Sequence, residues 1–161
     1  MSRPPHPGTV FLADEQTEDV GGLDLATLAL HVFAHERYPE RVEVTVLLVD
    51  EPTMASYNER FLHREGPTDV LAFPLEPLEP GRPPEMQTDD PPLNLGDVVI
   101  APAYVARQAA ELGVPFDDEL ALMTVHGLLH LMGWDHPDDE SAAAMEARES
   151  AILARVGRDR R

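Results

Sequence analysis

His126-Gly127-Leu128-Leu129-His130-Leu131-Met132-Gly133-Trp134-Asp135-His136 puts three of the chain's seven histidines within eleven residues. His126 and His130 are four apart, so on a helix they share one face, with Cβ atoms about 5–6 Å from each other. Two imidazoles at that separation reach one metal ion at Zn–N distances of about 2.0–2.1 Å. Gly133 stands where a helix needs a left-handed terminating residue, a conformation only glycine adopts without steric cost. The chain can double back there and deliver His136. Three nitrogen ligands leave a tetrahedral ion one open position, the ligand count of a catalytic zinc and not of a structural one.

The same spacing occurs in the metzincin peptidases, whose signature reads H-E-x-x-H with the glutamate as general base. Here that position is Gly127, which carries no proton acceptor. The pattern therefore predicts a metal scaffold without the peptidase base. Three buried, hydrogen-bonded histidines at a helix end form the plainer alternative, and the added glycine turn favours the metal.

A chain of 161 residues with 43% hydrophobic content fits one domain with a real core, residues 1–161, ordered from about 9 to 156. Cysteine is absent, so any zinc site must use His, Asp or Glu. Met1 to Gly8 has no apolar core and does not read as a secretory leader. No apolar run approaches the ~20 residues that span a bilayer. The expectation is a soluble, cytoplasmic protein. Twelve basic against thirty acidic residues give a net charge of −18, which argues against long-range attraction of nucleic acid but does not settle a local site. Every basic residue is Arg, and Arg155, Arg158, Arg160 and Arg161 make a basic tail, 157–161 at its end, read as a frayed, solvated segment.

Outward from the central motif, the pattern predicts an edge strand at Thr9–Ala13 and a helix over Leu23–Tyr38. On that helix His31 and His35 repeat the four-residue spacing without a third ligand or turn glycine, and read as a surface pair. Arg41–Val49 alternates and is rich in β-branched residues, a strand. Pro52 fits the first turn of a helix reaching about Leu62. Asp69–Phe73 is a second short strand. Residues 75–93 form a proline-rich exposed loop, seven prolines falling between Pro74 and Pro92. Asn94–Ile100 reads as a buried strand, and Pro102–Leu112 as a helix closed by Gly113. Asp117 and Asp118 are expected to cap the helix carrying His126 and His130, which is apolar nearly all round and so central and buried. Asp138 opens a last helix ending near Val156. The sum is an α+β fold: a small mixed four-stranded sheet packed with about five helices, in the order β-α-β-α-β-β-α-α-α.

Three motifs now carry a resemblance. H-G-L-L-H-L-M-G-W-D-H resembles the histidine signature of the YbeY family of bacterial rRNA maturation factors. Pro67-Thr68-Asp69-Val70-Leu71-Ala72-Phe73-Pro74 is similar to that family's P-T-(D/N)-V-L-S-F-P, and Gly96-Asp97-Val98-Val99-Ile100 to its G-D-(I/V)-x-I. The likeness covers about residues 9–156. It implies a zinc-dependent, single-strand-specific endoribonuclease acting at the 3′ end of 16S rRNA and in ribosome quality control. It implies one Zn2+ on His126, His130 and His136. Its implied partners are ribosomal RNA, the small ribosomal subunit and its proteins, and a ribosome-assembly GTPase. Many relatives carry an arginine where the alignment puts Leu62; Arg60 and Arg64 flank it as candidate RNA contacts, with solvated helix-end arginines as the plainer reading.

The implied chemistry is metal-assisted phosphodiester cleavage, by zinc polarising a phosphoryl oxygen or lowering the pKa of bound water to about 7. Asp135, Asp97 and Arg64 are the catalytic candidates. Asp135, next to a ligand, suits orienting an imidazole better than taking a proton, and Asp97 suits a strand-end hydrogen bond equally well. Attack by the RNA 2′-hydroxyl would need no activated water. A non-catalytic assembly factor with a metal-binding site is the alternative function, and a metallopeptidase a third.

Overall fold

The computed structural model describes residues 3–161; Met1 and Ser2, at the start of the segment read as lacking a leader, lie outside the described residues. In chain order the elements are β1 (Thr9–Glu15), α1 (Leu25–His35), β2 (Val42–Val49), α2 (Glu51–Leu62), β3 (Val70–Pro74), β4 (Leu93–Ile100), α3 (Pro102–Leu112), α4 (Phe116–Leu131) and α5 (Asp139–Arg155). The strands form one mixed sheet in the order β1-β2-β4-β3. β1, β2 and β4 run parallel, and β3 pairs antiparallel with β4 as the second edge.

The expected α+β fold is the observed one. Alternation along the strands sends side chains to two faces. Val44, Val46, Val98 and Ile100 pack with α1, α4 and α5 in the main core, whereas Val49, Leu71 and Val99 pack with Met54 of α2 in a smaller cluster. α4 is buried along most of its length, Leu120, Val125, Leu128 and Leu129 all being 0% exposed. It crosses the sheet beneath β3 and β4. No described helix is long and apolar enough to cross a membrane.

Three expectations need correction. α1 starts at Leu25 because the Asp24 carboxylate accepts from the Thr27 amide and caps it there. Asp117 and Asp118 do not cap α4: the cap is Pro115, without a side-chain bond, and both acids lie in the first turn, where negative charge favours the helix dipole. The basic segment after α5 is not a solvated fray. Arg158 Nη1 lies 2.6 Å from Asp118, Arg160 Nε 2.9 Å from Glu149, and Arg161 Nε 2.7 Å from Glu119. Glu149 and Glu119 are each 1% exposed, and a buried carboxylate is costly without a partner, so the arginines fold back to meet them. Their partners lie far off in sequence.

Candidate metal centre

α4 ends in a Schellman turn: the Trp134 amide donates to the Leu129 carbonyl (3.0 Å) and the Gly133 amide to the His130 carbonyl (3.1 Å). Gly133 has φ +95°, and a Cβ there would sit 2.2 Å from the Leu78 carbonyl oxygen, because the proline-rich loop passes directly over the turn. The turn is held from its other side too. Trp134 Nε1 donates to Glu36 of the α1 C-terminus (2.9 Å), and the Arg148 guanidinium from α5 stacks 4.6 Å from the indole centroid. Asp135 accepts from the His136 amide (2.8 Å), fixing the backbone that presents the third imidazole.

These supports bring His126, His130 and His136 together, with one ligand nitrogen from each within 4.8 Å of the others. Among the described residues this is the one such cluster of three or more donor groups. The Nε2 atoms of His126 and His130 are 3.0 Å apart. Two nitrogens at ~2.0–2.1 Å from a tetrahedral ion stand about 3.3 Å apart, so this pair is close to ligating geometry. The donor set fits a divalent metal: three imidazoles with no competing thiol, beside an open cleft of about 590 Å³ into which all three face.

The sequence reading missed Glu149. Its Oε2 lies 2.6 Å from His126 Nδ1, so it holds the ring in the tautomer whose Nε2 lone pair points at the cluster centre. Burial by itself pushes the Glu149 carboxyl up, but hydrogen bonds from His126 and Arg160 outweigh it and keep the group ionised below its ordinary 4.5. A signal existed. Met145, Glu149, Ile152 and Leu153 form the buried stripe of α5, and an acid on an apolar stripe needs a partner. Exchanging the carboxylate for an amide (Glu149→Gln) turns an N–H2 towards Arg160 Nε or His126 Nδ1. Metal affinity should fall about 10–100-fold, read by competition with a chelating dye; an affinity within twofold of wild type would remove Glu149 from the site.

Burial, with the neighbouring His126 and His136, pushes His130 below its ordinary 6.5, so its lone pair is available at neutral pH. Burial and Arg155 push His31 down as well. Groups whose folded pKa is depressed bind more protons when unfolded, so the metal-free protein should lose stability as pH falls through 6.5. Glu149 adds to the loss at lower pH, in the same direction. Thermal melts of chelated protein at pH 7.5 and 5.5 check this; a higher midpoint at the acid pH would contradict it.

The other predicted residues scatter. Arg64 lines the cleft of the triad, as does Leu62. Arg60 does not, and stacks over Phe61 at 5.2 Å. Asp97 pairs with Phe73 across the sheet, and the alternation that turns Val98 towards α4 turns Asp97 to the α2 face, away from the histidines. His35 is committed to Glu36 (2.7 Å) and belongs to no metal cluster among the described residues. At Gly127 a Cβ would lie 2.7 Å from Val98 Cγ1 and 3.0 Å from Val70 Cγ2. The peptidase base position therefore faces the sheet with no room for a side chain.

The sequence pattern of the family described as Endoribonuclease YbeY matches residues 13–157. The chain belongs to the YbeY family. An endoribonuclease YbeY from Acidothermus cellulolyticus is 44% identical over 154 residues, 95% of this chain and 94% of that protein. One from Rhodococcus opacus is 38% identical, over 90% of this chain and 80% of that protein. A solution structure of a Thermotoga maritima protein superposes with a TM-score of 0.58 at 25% identity, covering 92% of this chain and 91% of the other. YbeY membership makes the protein a member of an endoribonuclease family, and places its histidine cluster in the motif that carries the resemblance.

Proposed function

We propose that this chain is a zinc-dependent endoribonuclease that cuts single-stranded RNA during maturation of the 16S rRNA 3′ end and in ribosome quality control. The observation that carries the reading is the convergence of His126, His130 and His136 at one wall of an open cleft, with Glu149 locking one ring's tautomer. A bound zinc ion supplies Lewis-acid polarisation of a phosphoryl oxygen and acidifies a nearby water. The chain's own residues do the rest. Glu149 and the Trp134 anchor fix the imidazoles, and Arg64 offers a cation at the cleft.

Single-strand preference has a physical source beside the metal. A second cleft of about 720 Å³ shares His130, Leu62 and Val70 with the first and is lined by Phe61 and Phe73, whose rings meet at 5.3 Å. Phe61 is 51% exposed, a stacking surface for an unpaired base and useless to a base already in a duplex. Asp135, whose carboxylate accepts from the His136 amide, positions that imidazole and is not placed as a general base; the attacking group is then a water or the RNA 2′-hydroxyl.

The place of action follows as part of the same proposal: cytoplasmic, on ribosomal RNA, with the small ribosomal subunit and its proteins and a ribosome-assembly GTPase as partners. The net charge of −18 favours docking on basic ribosomal proteins, and that surface alone would also serve a non-catalytic assembly factor. Cleavage separates the two. Nuclease-free protein should cut single-stranded RNA, lose the activity to a chelator and regain it with zinc; binding to ribosomal subunits without any cleavage would favour the assembly factor.

A further inference from the structure

A chain of net charge −18 repels polyphosphate at long range, so an RNA cleft within it needs cations of its own. The cleft of the histidine triad has three, Arg64, Arg160 and Arg161, and two of these come from the segment after α5. We infer that this folded-back segment is the phosphate-binding wall of the cleft, and that Arg161 is the residue that meets the RNA backbone; the inference rests on the RNA-cleaving reading and assigns that site a substrate residue.

The two arginines of the segment are held differently. Arg160 is fully engaged: Nε on Glu149 at 2.9 Å, Nη2 3.5 Å from Glu146, and Nη1 donating to the Arg161 carbonyl at 2.9 Å. It secures the segment and sits against the carboxylate that orients His126. Arg161 is held by one edge only. Its Nε donates to Glu119 Oε1 at 2.7 Å, and no other hydrogen bond is made by its guanidinium among the described residues. Glu119 is 1% exposed and is fixed in turn by Gln108 Nε2 at 2.7 Å, so the anchor is rigid and hidden from an approaching phosphate. The Arg161 side chain, 36% exposed, keeps both terminal amino groups for a ligand. A guanidinium oriented through Nε by a buried acid presents the planar fork that suits a phosphate. Leu62, on the same cleft, offers no cation at all.

The test uses the full chain with its metal and a labelled single-stranded 2′-O-methyl RNA oligonucleotide, whose binding is followed by anisotropy across a KCl series. Arg161→Gln should weaken binding about tenfold, the scale of one charge-assisted hydrogen-bonded pair. It should also flatten the log–log salt slope by about 0.7, the value for one single-strand phosphate released. In cleavage assays the loss should fall on KM. Because Arg161→Gln also strips a partner from buried Glu119, the Glu119→Gln, Arg161→Gln double variant is measured beside it. If the guanidinium itself grips phosphate, the double variant binds RNA as weakly as the single one. Recovery of wild-type binding there, or an unchanged salt slope in the single variant, would overturn the inference. Cleavage by wild type with an indistinguishable Arg161→Gln overturns this inference alone. Binding that depends on Arg161 with no cleavage by wild type overturns the nuclease reading alone, and a wild-type protein that binds no oligonucleotide overturns both.

Discussion

Replacing His126 and His130 together by alanine should leave the protein without stoichiometric zinc and bring RNA cleavage down to the level of a mock purification. Both ligand nitrogens of the helical pair go at once, and the lone remaining imidazole, on exposed His136, cannot hold a divalent ion against water. Elemental analysis reads the metal independently of activity. The variant has a structural cost that must be separated from the chemical one. Without His126, one oxygen of the buried Glu149 loses its donor, about 1–3 kcal/mol for an unsatisfied buried group, while Arg160 still holds the other. His136→Ala avoids that cost. The side chain is exposed and supports no buried group, so with both proteins metal-free stability should change by about 0.5 kcal/mol or less, a shift of roughly 1–2 °C in midpoint. The metal should nevertheless be lost. Zinc retained at one equivalent by the double variant would refute the centre, and retained cleavage without zinc would point to a contaminating nuclease.

The reach of the sequence ended where partners became distant. Local chemistry was legible: the four-residue histidine spacing, the glycine turn and Asp138 at the start of α5 each depend on neighbours within a few residues, and each stands where it was expected. The strands were legible because β-branched alternation survives burial. What could not be read was which far residue would meet which. Glu149 lies 23 positions after His126 and Glu119 42 positions before Arg161; the apolar stripe of α5 marks Glu149 as an acid that needs a partner, but nothing in either acid's neighbours names which residue that partner is. The same gap explains the basic segment. Arg160 and Arg161 looked solvated because each meets a buried carboxylate, Glu149 on α5 and Glu119 on α4, and burial is a property of the assembled core. Asp97 failed for a related reason: the motif that contains it is real, but the pleat sends it to the face opposite the metal.

Gly127 offers the sharpest test of how the core positions the site. At an ordinary solvent-facing helix position, glycine to alanine gains about 1 kcal/mol through backbone entropy. Here the added methyl would lie 2.7 Å from Val98 Cγ1 and 3.0 Å from Val70 Cγ2, closer than carbon atoms normally approach. Overpacking of that kind costs about 1–3 kcal/mol, so the net sign should reverse and Gly127→Ala should destabilise by up to ~2 kcal/mol. Gly127→Glu, which would restore the peptidase motif on paper, fares far worse. Its side chain would be driven against the apolar Val98 of β4 and Val70 of β3, and burying a charge there adds several kcal/mol to the steric cost. Denaturant unfolding of the alanine variant and soluble yield of the glutamate variant are the measurements. A stable Gly127→Glu protein would mean that α4 stands off the sheet, and with it the two imidazoles that α4 carries. The close approach of helix and sheet, which forbids a side chain at 127, is what sets His126 and His130 at the depth where His136 can reach them.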